Sequence, residues 1–163
     1  MIAAIKELGG LGTQTAGLSV GGNEGGSSNQ CEEYNGSSWT AGGNMSVPRF
    51  DVAAAGLQTA GLAFGGFAPS QSPTSSVSTE EYNGTAWTGG GNLGTGRYGG
   101  AGAGTQTAGL AFGGFLPPNT TATEEYNGSS WTAGGALSAA TKYLAGCGTQ
   151  TAALAFGGET PSV

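Results

Sequence analysis

Three pairs of adjacent carboxylates, Glu32/Glu33, Glu80/Glu81 and Glu124/Glu125, are the groups in this chain best suited by type to do chemistry. Two carboxyls meeting at one point could act as acid and base, or hold a calcium ion between their oxygens. Each pair falls in a segment that reads as a β-strand, where neighbouring side chains leave on opposite faces. The members of a pair therefore cannot converge, and a solvated or structural role is expected for all six. No histidine occurs in the sequence, so the commonest general base and metal ligand is missing. The stretch GTGRYG at 94–99 spells a dinucleotide fingerprint, but it sits in a glycine-rich link with no helix after it. Asn35, Asn83, Asn127, Asn44 and Asn119 open N-x-S/T sequons; the first three are explained by a turn, and glycosylation would need a eukaryotic secretory route. Arg49 and Arg97 are expected to pair with nearby acidic groups rather than grip a ligand. Cys31 and Cys147 lie in different registers of the repeat described next. Two free, partly buried thiols are expected, with Cys147 serving packing. No catalytic residue, metal or cofactor is proposed, and an enzyme is not expected.

The elements that carry these residues recur along the chain. GTQTAGLSVGG at 12–22 returns as GLQTAGLAFGG at 56–66, GTQTAGLAFGG at 104–114 and GTQTAALAFGG at 148–158, at offsets of 44, 48 and 44. Between them stand EEYNGSSWT at 32–40, EEYNGTAWT at 80–88 and EEYNGSSWT at 124–132. The four extra residues of the middle unit fall in the Pro/Ser-rich stretch FAPSQSPTSS, which reads as a longer surface loop. Each motif predicts a β-hairpin. In EEYNGSSW, Asn-Gly takes the two positive-φ positions of a tight turn flanked by Tyr and Trp. In the other motif large residues alternate with tiny ones, as Leu62 and Phe64 do with Gly61 and Ala63. That alternation puts bulk on one sheet face and allows close approach on the other. With the hairpins labelled ab and cd, the half-blades run ab 1–22, cd 30–41, ab 47–66, cd 78–89, ab 95–114, cd 122–133 and ab 139–158. Four strands per repeat is the unit of a β-propeller blade.

Composition agrees with stacked small sheets. Glycine supplies 35 of 163 residues, while Leu, Ile, Val and Phe together supply only 24. Long helices are excluded, because glycine costs about 1 kcal/mol at each helical position. A lone blade exposes both faces, so its stability must come from a neighbour. Three Trp and three repeat Tyr, each able to bury ~150–250 Å², are the largest groups available for that contact. Net charge is −6, with only Lys6, Arg49, Arg97 and Lys142 basic. Without a basic cluster, nucleic acid is not an expected partner. Membrane insertion is not expected either, since no run approaches the ~20 apolar residues needed to cross a bilayer. Lys6 and Glu7 come too early for a secretory leader.

A Gly-Gly doublet closing strand b, a Tyr some way on and a Trp five residues after it form a pattern that resembles the kelch repeat. It is carried by Gly21, Gly22, Tyr34 and Trp39, by Gly65, Gly66, Tyr82 and Trp87, and by Gly113, Gly114, Tyr126 and Trp131. Arg49 and Arg97, opening strand a, fit as well. The wording TQTAGLAFGG followed by TEEYNGTxWT is also similar to kelch-like repeats in structural proteins of marine bacteriophages. The resemblance implies an all-β fold of kelch-type propeller blades, about three and a half four-stranded antiparallel blades per chain. It further implies a non-enzymatic virion protein, such as a capsid decoration or tail-fibre module. Its partners would be copies of itself or other virion proteins, with a host-surface glycan as a further implied partner. The competing reading is a stand-alone module holding a glycan or peptide on its loop face, through the loop at 67–79. A kelch-type copper oxidase would need histidine ligands that this sequence does not have.

Counting half-blades leaves the last ab hairpin without its cd partner, and both ends of the chain carry ab. The strand at 153–158, with Leu154, Phe156, Gly157 and Gly158, is therefore a candidate assembly edge. Completion by oligomerisation or docking is expected; an open or four-bladed monomer with a truncated last blade is the plainer alternative. Where the inner repeats have Phe50 and Tyr98, the terminal ones have Lys6 and Lys142, as edge protection predicts.

Overall fold

The computed structural model describes residues 1–71 and 73–161, so Ser72 of the long loop lies outside the described residues. The described chain is all-β. Three four-stranded antiparallel sheets follow one another in simple up-and-down order. Blade 1 holds β1 (Gly9–Thr13), β2 (Ala16–Asn23), β3 (Ser27–Tyr34) and β4 (Trp39–Ala41). Blade 2 holds β5 (Ala53–Leu57), β6 (Ala60–Phe64), β7 (Thr79–Tyr82) and β8 (Trp87–Gly89). Blade 3 holds β9 (Ala101–Thr105), β10 (Ala108–Phe112), β11 (Thr123–Tyr126) and β12 (Trp131–Ala133). A two-stranded half-blade of β13 (Lys142–Gly148) and β14 (Ala153–Glu159) completes the series. The expected three and a half propeller-like blades are present, and the sheets do not close into a ring.

Register follows the repeat. Leu18, Leu62 and Leu110 stand opposite Glu33, Glu81 and Glu125 on the next strand. One turn differs from expectation. Tyr34 pairs directly with Trp39, so Asn35–Ser38 is a four-residue loop rather than a two-residue turn, and only Gly36 has positive φ. The reason is the asparagine side chain. Asn35 Oδ1 accepts from the backbone N–H of both Ser37 and Ser38, which supports a wider loop. Asn83 and Asn127 repeat that arrangement.

The core lies between blades rather than within them. Leu18, Val20, Cys31 and Met45 of blade 1 and its outgoing link pack with Val52, Ala63 and Tyr82 of blade 2. Ala53, Leu62 and Phe64 of blade 2 pack with Ala111, Tyr126 and Trp131 of blade 3. The small residues opposite the large ones permit this approach: a Cβ on Gly61 would press on Leu11, and one on Gly109 on Leu62 of the blade before. Both cysteines are free. Cys31 is buried, which pushes its thiol up to about 11. Cys147 is exposed, contrary to the packing role expected of it, because its strand belongs to the half-blade that nothing covers on one side.

Candidate assembly interface

The joint between blades is built from a short set of side chains, and it occurs more than once. In blade 2 the Tyr82 hydroxyl donates to Glu33 Oε1 of blade 1, and the Gly43 N–H donates back to that hydroxyl at 3.1 Å. Between blades 3 and 2, Tyr126 donates to Glu81 Oε1 at 2.6 Å and Gly91 N–H donates to Tyr126. Burial and the adjacent carboxylate push both phenols up to about 12. Trp87 Nε1 donates to the Gly43 carbonyl, whereas Trp131 Nε1 donates to Thr79 Oγ1, each at 2.9 Å. Phe64 meets the Trp131 ring edge to face with centroids 4.8 Å apart. Of the six repeat rings, those of blades 2 and 3 therefore face the preceding blade. Tyr34 and Trp39 of blade 1 stack only on each other and stay half-buried, because no blade precedes them among the described residues.

A second clamp runs through the ab turns. Gln58 Nε2 donates to the Gly17 and Tyr34 carbonyls of the preceding blade, both at 2.9 Å. Gln106 grips Gly61 and Tyr82, and Gln150 grips Gly109 and Tyr126, in the same way. Read from the sequence, this glutamine is only part of a polar link; its recurrence in every TQTA or LQTA turn was the available signal.

The carboxylate pairs separate as strand geometry requires. Glu80 and Glu124 are buried within their own blades as partners of Arg49 and Arg97. Arg49 Nη2 lies 2.8 Å from Glu80 Oε1, and its Nη1 donates to the Gly65 and Ser78 carbonyls. Desolvation lowers the affinity of both guanidinium groups for their proton, and the paired glutamate opposes that shift. Ile5 occupies the same register in blade 1, so Glu32 is met instead by the Ile2 and Ala3 N–H groups, at 2.7 and 3.0 Å. The expectation that the arginines pair with nearby acidic groups holds.

The glycine doublets serve the links between blades. Gly21, Gly65 and Gly113 have positive φ, and a Cβ on each would collide with the carbonyl of Arg49, Arg97 or Thr141. Gly22, Gly66 and Gly114 donate their N–H to those same three carbonyls at 2.8 Å. At the candidate edge the pattern stops. A Cβ on Gly157 would meet nothing within 4 Å, while one on Gly158 would press on Thr141, the Lys142 carbonyl and Leu144 of its own half-blade, as one on Gly66 would on the Phe50 carbonyl and Val52. Leu154 and Phe156 are 60% and 50% exposed, against 0% and 1% for Leu62 and Phe64. The sheet edge of β14 that faces away from β13 has no strand on it among the described residues.

Near the start of each a strand a second run of contacts crosses the blades. Asp51 N–H donates to Glu7 O at 2.7 Å, Gly99 N–H to Asp51 O at 2.9 Å, and Tyr143 N–H to Gly99 O at 2.6 Å. Glu7, Asp51 and Tyr143 hold positive φ there. Beside this run lies a row of half-buried rings, Phe50, Phe67, Tyr98 and Phe115, with neighbouring centroids 5.0–5.2 Å apart. Lys142 Nζ closes it 5.3 Å above Phe115. Among the described residues no group of three or more His, Cys, Asp or Glu side chains is arranged to hold a metal ion. Among the same residues no helix is long and apolar enough to cross a membrane. The chain matches no protein-family model and no curated protein.

Proposed function

We propose that this protein is a non-enzymatic structural or adhesive component of a virus particle, such as a phage capsid decoration or tail-fibre module, assembled from kelch-type repeats. One observation carries the assembly role: the half-blade β13–β14 exposes its outer strand along the whole of Ala153–Glu159. Exposed strand edges are templates for another chain. The virion setting is supported by the likeness of the TQTAGLAFGG and EEYNG-x-x-W wording to phage structural repeats. Copies of this chain or other virion proteins are the partners, with no nucleic acid and no membrane insertion. Mass spectrometry of purified particles tests the setting: the protein is expected among the particle proteins at a fixed stoichiometry. Abundance in infected cells with absence from particles would refute it.

A second reading, a glycan-binding module, is favoured by the row Phe50–Phe67–Tyr98–Phe115, since half-buried ring faces suit sugar rings. Phe67 opens the loop at 67–79. Under this reading a glycan array gives saturable binding that Phe67→Ala abolishes.

A further inference from the structure

We propose that the half-blade is a receptor for a β-hairpin of the repeat's own cd type, carrying Glu-Tyr-Asn-Gly-x-x-Trp. The inference rests on the reading of this protein as an assembly module and names the partner that its open edge takes.

The observation is a glycine whose reason is missing. A Cβ on Gly43 would run into the Thr85 carbonyl of the next blade's cd loop, and one on Gly91 into the Ser129 carbonyl. Glycine is required at both places because that loop is seated there. Gly135 stands in the same register of blade 3, yet a Cβ there meets nothing within 4 Å. The neighbouring acceptor is also unused. Glu33 and Glu81 receive the hydroxyls of Tyr82 and Tyr126, while the matching Glu125 is exposed and receives none among the described residues. A Cβ on Gly42 or Gly90 would touch one of those hydroxyls, whereas one on Gly134 would approach only Glu125 and Thr123.

These vacancies lie beside one another, and β14 offers the pairing edge that β2, β6 and β10 give to β3, β7 and β11. A hairpin paired on β14 in the register of Leu62 with Glu81 would bring its tyrosine hydroxyl to Glu125 and its Asn-Gly loop over Gly135. A second copy of this chain is a poor donor. Its cd hairpins β3–β4, β7–β8 and β11–β12 each complete a blade of their own, and lending one would dismantle that blade.

The test titrates a fluorescent peptide of residues 121–136 into the full chain and reads anisotropy, with hydrogen exchange following the amides of 153–158. Saturable one-to-one binding that protects those amides is expected. Gly135→Val should weaken it at least tenfold without changing the thermal midpoint, since the added side chain meets open space until the hairpin arrives. Gly89→Val, also in open space, should leave it unchanged. Tyr126→Phe in the peptide alone should weaken binding about tenfold, as expected for a hydrogen bond to a carboxylate. No saturable binding, binding indifferent to Gly135→Val, or protection of 153–158 by a concentration-dependent homodimer without peptide would each overturn the proposal. Absence of peptide binding with the protein still present in particles sinks the receptor alone. Peptide binding by a protein absent from particles sinks the virion setting alone.

Discussion

The segments GLAFGG at 61–66 and ALAFGG at 153–158 are nearly the same sequence in opposite circumstances. In blade 2, Leu62 and Phe64 are among the most buried side chains of the molecule, while their counterparts Leu154 and Phe156 face solvent. Both segments form a strand, both pair with the strand before them, and both have the alternation that predicts one bulky face. What differs is the neighbour. Secondary structure in this protein is a property of the motif, but burial, and with it most of the stabilisation, is a property of adjacency. Two glycines make the point most sharply: Gly157 and Gly135 are kept in the repeat, yet a Cβ on either meets nothing within 4 Å, whereas their counterparts Gly113 and Gly91 are hemmed in by the next blade or its link.

Alanine substitutions break the comparison open most widely. Phe64→Ala removes a ring packed against Trp131 and should cost about 3–5 kcal/mol, read as a shift in the urea unfolding midpoint. Phe156→Ala should stay within about 0.5 kcal/mol in the isolated chain. Equal losses at the two sites would mean that the half-blade is covered in solution.

The buried ion pairs separate blade 2 from blade 1. Arg49→Met leaves Glu80 buried without its cation and should cost about 3–5 kcal/mol, whereas Arg49→Met with Glu80→Met should recover most of that loss. Blade 1 has already made the first replacement, with Ile5 in the arginine's register, and meets the carboxylate with two backbone N–H groups instead. A double variant as unstable as the single one would show that the pair acts through packing rather than charge.

The blades were legible because their signals are local and repeated: an Asn-Gly between Tyr and Trp and a two-residue alternation each lie within a few residues, and both recur at offsets of 44 and 48. The joints were legible only in part. Tyr and Trp announce burial by their size, but Gln58 does not; its acceptors Gly17 and Tyr34 are 41 and 24 residues away. The wider Asn35 loop escaped notice because the asparagine's role as a side-chain acceptor outweighs its tolerance of positive φ. Cys147 was misread because a position shared with Ala55 and Ala103 takes their burial only where a blade follows. From that joint comes the next contrast. Gln58→Ala should cost about 1–3 kcal/mol for two carbonyls left unmet. Gln14→Ala, whose side chain has no hydrogen-bond partner among the described residues, should be neutral within about 0.5 kcal/mol. Thermal midpoints of the two variants decide it.

The smallest effect contrasts two residues of one register, Asp51 in blade 2 and Gly99 in blade 3. Burial, followed by the charge of Glu7, pushes the Asp51 carboxyl up to about 6, while Lys142 and Lys6 pull it back. A carboxyl that holds its proton more tightly when folded contributes its stability at low pH and loses it as pH rises through about 6. Asp51→Asn should therefore stabilise the protein at pH 8, by about 1 kcal/mol or less given solvent screening. At pH 4 any remaining gain reflects only the ease with which asparagine holds the positive φ of this position. Urea midpoints of both proteins at the two pH values separate the causes, because the backbone effect is common to both and the charge effect is not. An equal gain at pH 4 and pH 8 would assign the whole effect to the backbone. A loss at pH 8 would mean that the carboxylate is stabilised by the flanking lysines more than burial disfavours it.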